Sequence, residues 1–170
     1  KQKTAYEIGV RLVGSEMCIR DSLYNRTYFN EELARLQSSQ EYPISFLIAD
    51  LDDLKPVNDT YGHQVGDLLI QTAARVLEHG VRAEDSVARV GGDEFTIILY
   101  STDEATAKLV LGRLRTALGA YNRRNESLPI RMSLGTATAQ EGSGLEEALR
   151  RADEAMYQDK TQRKEKLRDT

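Results

Sequence analysis

The segment Ser86-Val87-Ala88-Arg89-Val90-Gly91-Gly92-Asp93-Glu94-Phe95-Thr96-Ile97-Ile98-Leu99-Tyr100 holds two short apolar runs separated by Gly91-Gly92-Asp93-Glu94. Strand-length runs around adjacent glycines predict an antiparallel hairpin whose tight primed turn draws on positive φ at Gly91 and Gly92. Upstream, Pro43 opens Ile44-Ser45-Phe46-Leu47-Ile48-Ala49-Asp50-Leu51, an apolar run of strand length that turns acidic at its end. This reads as a buried strand leading into a polar loop. Ile130, Met132 and Leu134 alternate as a half-buried strand.

Helical periods surround these runs. Phe29, Leu33 and Leu36 share one side of a helix beginning at Leu23 and ending near Ser38-Ser39-Gln40. Val65, Leu68, Leu69, Thr72, Ala73, Val76 and Leu77 mark a long amphipathic helix from about His63 to His79, with Gly80 as its C′ stop. Ser101-Thr102-Asp103-Glu104 offers a capping box before Ala107, Val110, Leu111, Leu114, Leu118 and Tyr121. Ser143-Gly144-Leu145-Glu146 caps a last helix carrying Leu145, Leu149, Ala152 and Met156. Irregular alternation around a hairpin predicts an α+β fold, with helices flanking a central, mainly antiparallel sheet, over a doubly wound parallel one.

The 170 residues suit one domain, and 40% hydrophobic against 29% charged residues excludes a disordered or collagen-like chain. A formal charge of −4, from 23 Lys+Arg and 27 Asp+Glu, argues against a domain held to duplex nucleic acid by phosphate neutralisation. The single cysteine, Cys18, allows no internal disulfide, and no Cys/His pairing of structural zinc spacing is present, so a reducing cytoplasm is expected. No apolar run reaches the roughly 18 residues of a membrane span, and the first residues lack the apolar core of a signal peptide. Residues 1–22 show no lasting period and read as a tail or linker.

Asp50, Asp52 and Asp53 end one predicted strand, and Asp93 with Glu94 tips the hairpin. If these strands neighbour one another, the acids meet at one edge of the sheet. Crowded carboxylates repel, and a divalent cation with phosphate ligands offsets that repulsion. The same acids read equally as solvated loop residues. Lys55 and the loop Pro56–Gly66, before a long helix, resemble a phosphate cradle, while Asn58-Asp59-Thr60 read equally as capping and turn residues.

Two longer stretches carry a resemblance. Ile48-Ala49-Asp50-Leu51-Asp52-Asp53-Leu54-Lys55-Pro56-Val57-Asn58-Asp59-Thr60-Tyr61-Gly62-His63-Gln64-Val65-Gly66-Asp67 and Arg89-Val90-Gly91-Gly92-Asp93-Glu94-Phe95 closely resemble the two signatures of GGDEF-domain diguanylate cyclases. The resemblance runs from about Leu23 to Lys160. It implies a fold like the class III nucleotide cyclase core and a reaction joining two GTP into cyclic di-GMP with release of pyrophosphate. By this resemblance Asp50, Asp93 and the carbonyl of Leu51 are ligands of Mg²⁺, with Mn²⁺ the alternative ion, and Glu94 helps deprotonate the attacking 3′-hydroxyl. Asn58 and Asp67 match guanine-reading positions, and Lys55 and Lys160 match phosphate-contacting ones. A carboxylate at 67 suits the N1–H and 2-amino donors of guanine, which adenine lacks, so GTP is favoured over ATP or a mixed dinucleotide. Gly91 and Gly92 let the backbone approach the nucleotide.

The resemblance further implies catalysis by a homodimer, each copy holding one GTP, and an N-terminal sensory domain in the full-length protein. Arg82-Ala83-Glu84-Asp85 matches the Arg-x-x-Asp site through which such enzymes bind cyclic di-GMP as inhibitor, with Arg113 as a second contact. The bland readings are a surface ion pair and an exposed helix arginine. The family's usual Asp-x-Leu-Thr-Gly-Leu-x-Asn-Arg opening is reduced to Leu23-Tyr24-Asn25-Arg26, so residues 1–22 are expected to be a non-family tail or an artefact and 23–170 the domain. The family's Lys-x-x-Gly-Arg-Asn becomes Lys160-Thr161-Gln162-Arg163-Lys164-Glu165. Lys164 then replaces a phosphate-binding arginine, keeping the charge and losing the fork. A catalytically weak domain that binds GTP or cyclic di-GMP as a regulatory module is the alternative.

Overall fold

The computed structural model describes residues 23–168. The expectations for residues 1–22, Cys18 among them, lie outside the described residues. Elements follow in the order β1 (Tyr24–Asn25), α1 (Arg26–Gln37), β2 (Ile44–Leu51), α2 (Leu54–Tyr61), α3 (His63–His79), β3 (Ser86–Arg89), β4 (Glu94–Leu99), α4 (Glu104–Arg124) and β5 (Met132–Ala139). A 3₁₀ turn, Gly142–Gly144, then leads into α5 (Leu145–Arg168).

The strands form one five-stranded sheet in the order β1-β3-β4-β2-β5. Only β1 and β3 run parallel; β3 with β4, β4 with β2 and β2 with β5 are antiparallel. This is the expected α+β architecture. Because successive strand side chains face opposite ways, each strand feeds two cores. Leu47, Ala49 and Leu51 of β2 join Phe95, Ile97 and Leu99 of β4 under α3 and α4, which contribute Leu69, Leu77, Leu114 and Leu118. Ile44, Phe46 and Ile48 join Ile98 and Ala137 on the other face, under Phe29 and Leu36 of α1 and Leu145, Ala152 and Met156 of α5. Every residue of β2 is buried, which explains why its sequence is apolar without alternation.

Local expectations fare differently. The helix at 63–79 has the expected bounds, and Asp103, accepting from the Thr106 amide, caps α4 in place of a wider capping box. Leu23 does not start a helix: β1 precedes α1, whose N-cap is Asn25, accepting from Tyr28 N–H at 2.9 Å. The stretch expected as a loop at 56–66 is mostly helical, because α2 spans Leu54–Tyr61 and Gly62, at φ 86°, makes the sharp joint to α3. The hairpin forms, yet neither Gly91 nor Gly92 takes a positive φ. Its connection is wider than a two-residue primed turn: Val90 and Gly91 N–H both donate to the Glu94 carbonyl, at 3.0 and 3.3 Å. Gly91 is instead a matter of space, since a Cβ there would lie 2.6 Å from Glu94 Oε2. Gly80 is right-handed rather than a left-handed stop, and a Cβ on it would meet Leu114 Cδ2 at 2.1 Å. β5 is buried along nearly its whole length, not half-buried, because helices cover both its faces. No strand follows α5 among the described residues.

Candidate active site

Asp50 lies at the end of β2, opposite Glu94 of β4 and Ser133 of β5 in the two ladders. The next residue, Leu51, donates its N–H to the Asp93 carbonyl at 2.8 Å. The acidic end of β2 and the hairpin tip, 43 residues apart in the chain, therefore share one end of the sheet. Arg89 fastens the tip by donating from Nε and Nη2 to the Gly92 carbonyl at 3.2 and 2.7 Å.

Asp50 is only 6% exposed, so its carboxylate needs a partner. Lys160 Nζ of α5 supplies one at 2.6 Å and lies 3.8 Å from Asp52 Oδ1. Burial pulls the Lys160 ammonium down, but the Asp50 hydrogen bond and the charges of Asp50, Asp52 and Asp93 overcome it, leaving a pKa above the ordinary lysine value. A raised lysine pKa contributes stability below the unfolded-state value, and that contribution is lost as pH rises through the folded-state value. The wild type is accordingly expected to melt above Lys160→Met at neutral pH, with the gap narrowing beyond about pH 10.4 in a thermal denaturation series.

Asp52 Oδ2 accepts from Ser133 Oγ at 2.8 Å, while its buried Oδ1 has no hydrogen-bond partner. Burial raises the Asp52 pKa against the opposing pull of Ser133 and Lys160. Asp53, left-handed at φ 63°, turns the chain into α2 and pairs with Arg131 at 3.1 Å. Lys55 follows, exposed, in the first turn of α2. Asn58 lies against α3 with a buried Oδ1 that has no hydrogen-bond partner. Gly66 makes room for it: a Cβ there would lie 1.9 Å from that oxygen, and Asp67 is the next residue. Lys164 is exposed on α5, one helical turn beyond Lys160.

Among the described residues no three His, Cys, Asp or Glu side chains form a ready metal cage. The donors at the end of β2 still fit a hard divalent ion, which takes one or two carboxylates and completes its shell with phosphate and water. Asp50 and Asp93 would supply the carboxylates and Leu51 a carbonyl, and Asp52 Oδ1, which has no hydrogen-bond partner, adds acceptor capacity beside Asp50.

Arg82, Asp85 and Arg113 gather at the far end of α3, whose 17 residues place them about 25 Å from its start. Asp85 Oδ2 accepts from Arg82 N–H at 2.9 Å and Oδ1 from Tyr100 N–H at 3.3 Å. The carboxylate thus braces a turn, and burial raises its pKa against those two amide bonds. Arg113 Nε donates to the Gly80 carbonyl at 2.8 Å, crossing from α4 to the end of α3. His79, the last residue of α3, places Nδ1 2.6 Å from the Arg75 carbonyl, a contact within its own helix.

Ser133, Arg131, Arg115 and Asp159 escape sequence reading, since their partners are distant in the chain. The local cues are that Asp159 precedes Lys160 directly and stands four residues before Arg163 on one helix.

The chain matches the model of the family "Diguanylate cyclase, GGDEF domain" over residues 21–166. It is 37% identical over 158 residues to the response regulator PleD of Caulobacter vibrioides, covering 85% of this chain and 34% of PleD. To the diguanylate cyclase DosC of Escherichia coli it is 35% identical over 150 residues, covering 83% and 32% respectively. The chain thus spans about a third of the length of these relatives. The GGDEF domain of DgcB from Caulobacter crescentus, solved in complex with c-di-GMP, superposes with a TM-score of 0.76 at 28% identity, covering 87% of this chain and 91% of that one. The family implies use of a divalent metal and a nucleotide-cyclase-like core, and among the described residues no helix is long and apolar enough to cross a membrane. With both signature motifs meeting at one end of a sheet of this topology, the chain belongs to the GGDEF-domain diguanylate cyclase family.

Proposed function

We propose that residues 23–170 form a cytoplasmic catalytic domain that condenses two GTP into cyclic di-GMP and two pyrophosphates. The observation that carries this reading is the meeting of Asp50, the Leu51–Asp93 backbone bond and Lys160 at one strand end. Asp50, Asp93 and the Leu51 carbonyl hold Mg²⁺, or Mn²⁺ in its place. The bound ion supplies charge neutralisation on the triphosphate. Lys55, Lys160 and Lys164 take up the remaining phosphate charge, and the small Gly91-Gly92 segment admits the nucleotide. Asn58, with its unpaired oxygen, and Asp67 read the guanine edge.

Each domain holds one GTP, so two copies face each other as a homodimer. The 3′-hydroxyl of one GTP attacks the α-phosphorus of the other. Its proton passes to Glu94, the new O–P bond forms, and the α–β phosphoanhydride bond breaks to release pyrophosphate; the step then repeats with roles exchanged. A sensory domain upstream in the full-length protein sets the pairing.

Incubating GTP and Mg²⁺ with the protein, fused to a dimerising coiled coil, is expected to give cyclic di-GMP and pyrophosphate on chromatography. An enforced dimer that makes neither overturns the reading. A second reading, a regulatory module binding GTP or cyclic di-GMP with weak turnover, draws on the unbroken course of α5 through Arg163 and Lys164, where relatives place Gly-Arg. Binding of cyclic di-GMP without pyrophosphate release would favour it.

Product inhibition is assigned to Arg82, Asp85 and Arg113. Because Asp85 also braces its turn, Asp85→Ala is expected to lower the melting temperature as well as product affinity. Arg82→Ala removes only an exposed side chain. It is expected to weaken cyclic di-GMP binding about tenfold or more in calorimetry with melting unchanged.

A further inference from the structure

The last helix carries Lys160 to Asp50, and the structure offers a specific reason why it arrives there. Asp159 has three partners on two other elements and its own helix. Its Oδ1 accepts from Arg115 Nη2 of α4 at 2.8 Å. Its Oδ2 accepts from the Leu134 N–H of β5 at 3.0 Å and from Arg163 Nε, one turn further along α5, also at 3.0 Å. α4 and α5 cover opposite faces of the sheet, and β5 is its outermost strand, so Asp159 ties the two layers together around that edge.

Packing of Leu145, Ala148, Ala152 and Met156 chooses the face that α5 lays on the sheet, and directional contacts refine its roll and axial register. Gly135 sets the depth of α5, since a Cβ there would lie 2.1 Å from Met156 N. Depth and apolar packing leave small adjustments of rotation and axial register to polar contacts. The Leu134 bond trims both one residue before Lys160, and each residue step turns a side chain by about 100° with about 1.5 Å of rise. A small roll would carry Nζ away from the Asp50 carboxylate. The Asp159–Arg163 pair also holds the helical turn that carries Lys164, so Lys160 and Lys164 lie on one side of α5 at i and i+4.

We propose that Asp159 is a positioning residue that fixes the register of α5 so that Lys160, with Lys164 one turn behind, presents its ammonium to the triphosphate. The inference rests on the proposed nucleotide site, and it replaces the missing Gly-Arg turn by a helical lysine pair held from beneath.

The test is a double-mutant cycle on the dimer-enforced protein, read by calorimetric affinity for a non-hydrolysable GTP analogue with Mg²⁺ and by KM and kcat for GTP. Asp159→Ala is expected to weaken analogue binding about tenfold and to raise KM more than it lowers kcat. Asp159→Asn keeps an acceptor for Leu134 N–H and is expected to fall between, which guards against loss of fold in the alanine variant. In a Lys160→Ala background, Asp159→Ala is expected to add less than about twofold. Full additivity of the two substitutions, or wild-type affinity in both Asp159 variants, overturns the positioning role while leaving the nucleotide site standing. Wild-type protein that binds no analogue overturns the site itself, and the positioning role with it.

Discussion

Asp93→Asn is expected to lower cyclic di-GMP formation by at least about 10³-fold while leaving the melting temperature within a degree or so of wild type. The residue lies in the hairpin connection, half-buried, and its backbone carbonyl makes the bond to Leu51 N–H, which the substitution retains. What is lost is the charge of a carboxylate that, on the proposed function, holds the metal. Asp50→Asn should abolish turnover equally but also lower stability by about 1–3 kcal/mol, because it keeps an acceptor for Lys160 but removes the negative charge that balances a partly buried ammonium. Turnover and calorimetric melting of the pair separate chemistry from scaffolding. Full turnover by Asp93→Asn would overturn its role as a metal ligand.

The largest effect on stability is expected at Gly135. A methyl group there would stand 2.1 Å from Met156 N and 2.3 Å from Ala152 O, both backbone atoms of α5 that no rotamer change can move. The helix must lift off β5, opening the core around Ala137, Ala152 and Met156. Gly135→Ala is expected to cost about 3 kcal/mol or more and to lower the melting temperature by about 10 °C. Because the same displacement carries Lys160 from Asp50, GTP affinity should fall in whatever fraction remains folded. A melting temperature equal to wild type would show that α5 can shift outward freely, against the tight contact seen here.

Much of this was legible in the sequence, for identifiable reasons. The apolar run 44–51 is buried on both faces, so its pattern spoke for a strand without ambiguity, and the long 3.6-residue period of α3 gave its bounds. The convergence of Asp50 with Asp93 followed from motif order once the strands were neighbours. The misreadings share a cause in short-range signals. Asn58-Asp59-Thr60 with Pro56 suggests a loop, yet these residues lie in α2, whose Leu54 and Val57 pack against the core. The glycine pair suggests left-handed turns, whereas neither glycine takes a positive φ and the Glu94 side chain lies close over Gly91. Asp159, Arg115 and Ser133 were invisible because their meaning resides in contacts 25 to 81 residues away.

One consequence of the strand order remains. β2 is hydrogen-bonded along both flanks, by β4 and by β5, so the acid at its tip is carried on an interior strand of the sheet. Such an anchor cannot swing between an idle and a working pose without dismantling the sheet. On the proposed two-copy reaction, control over a domain built this way would come from outside, by setting how often and at what angle two intact copies meet, so that switching it on changes encounter rather than shape.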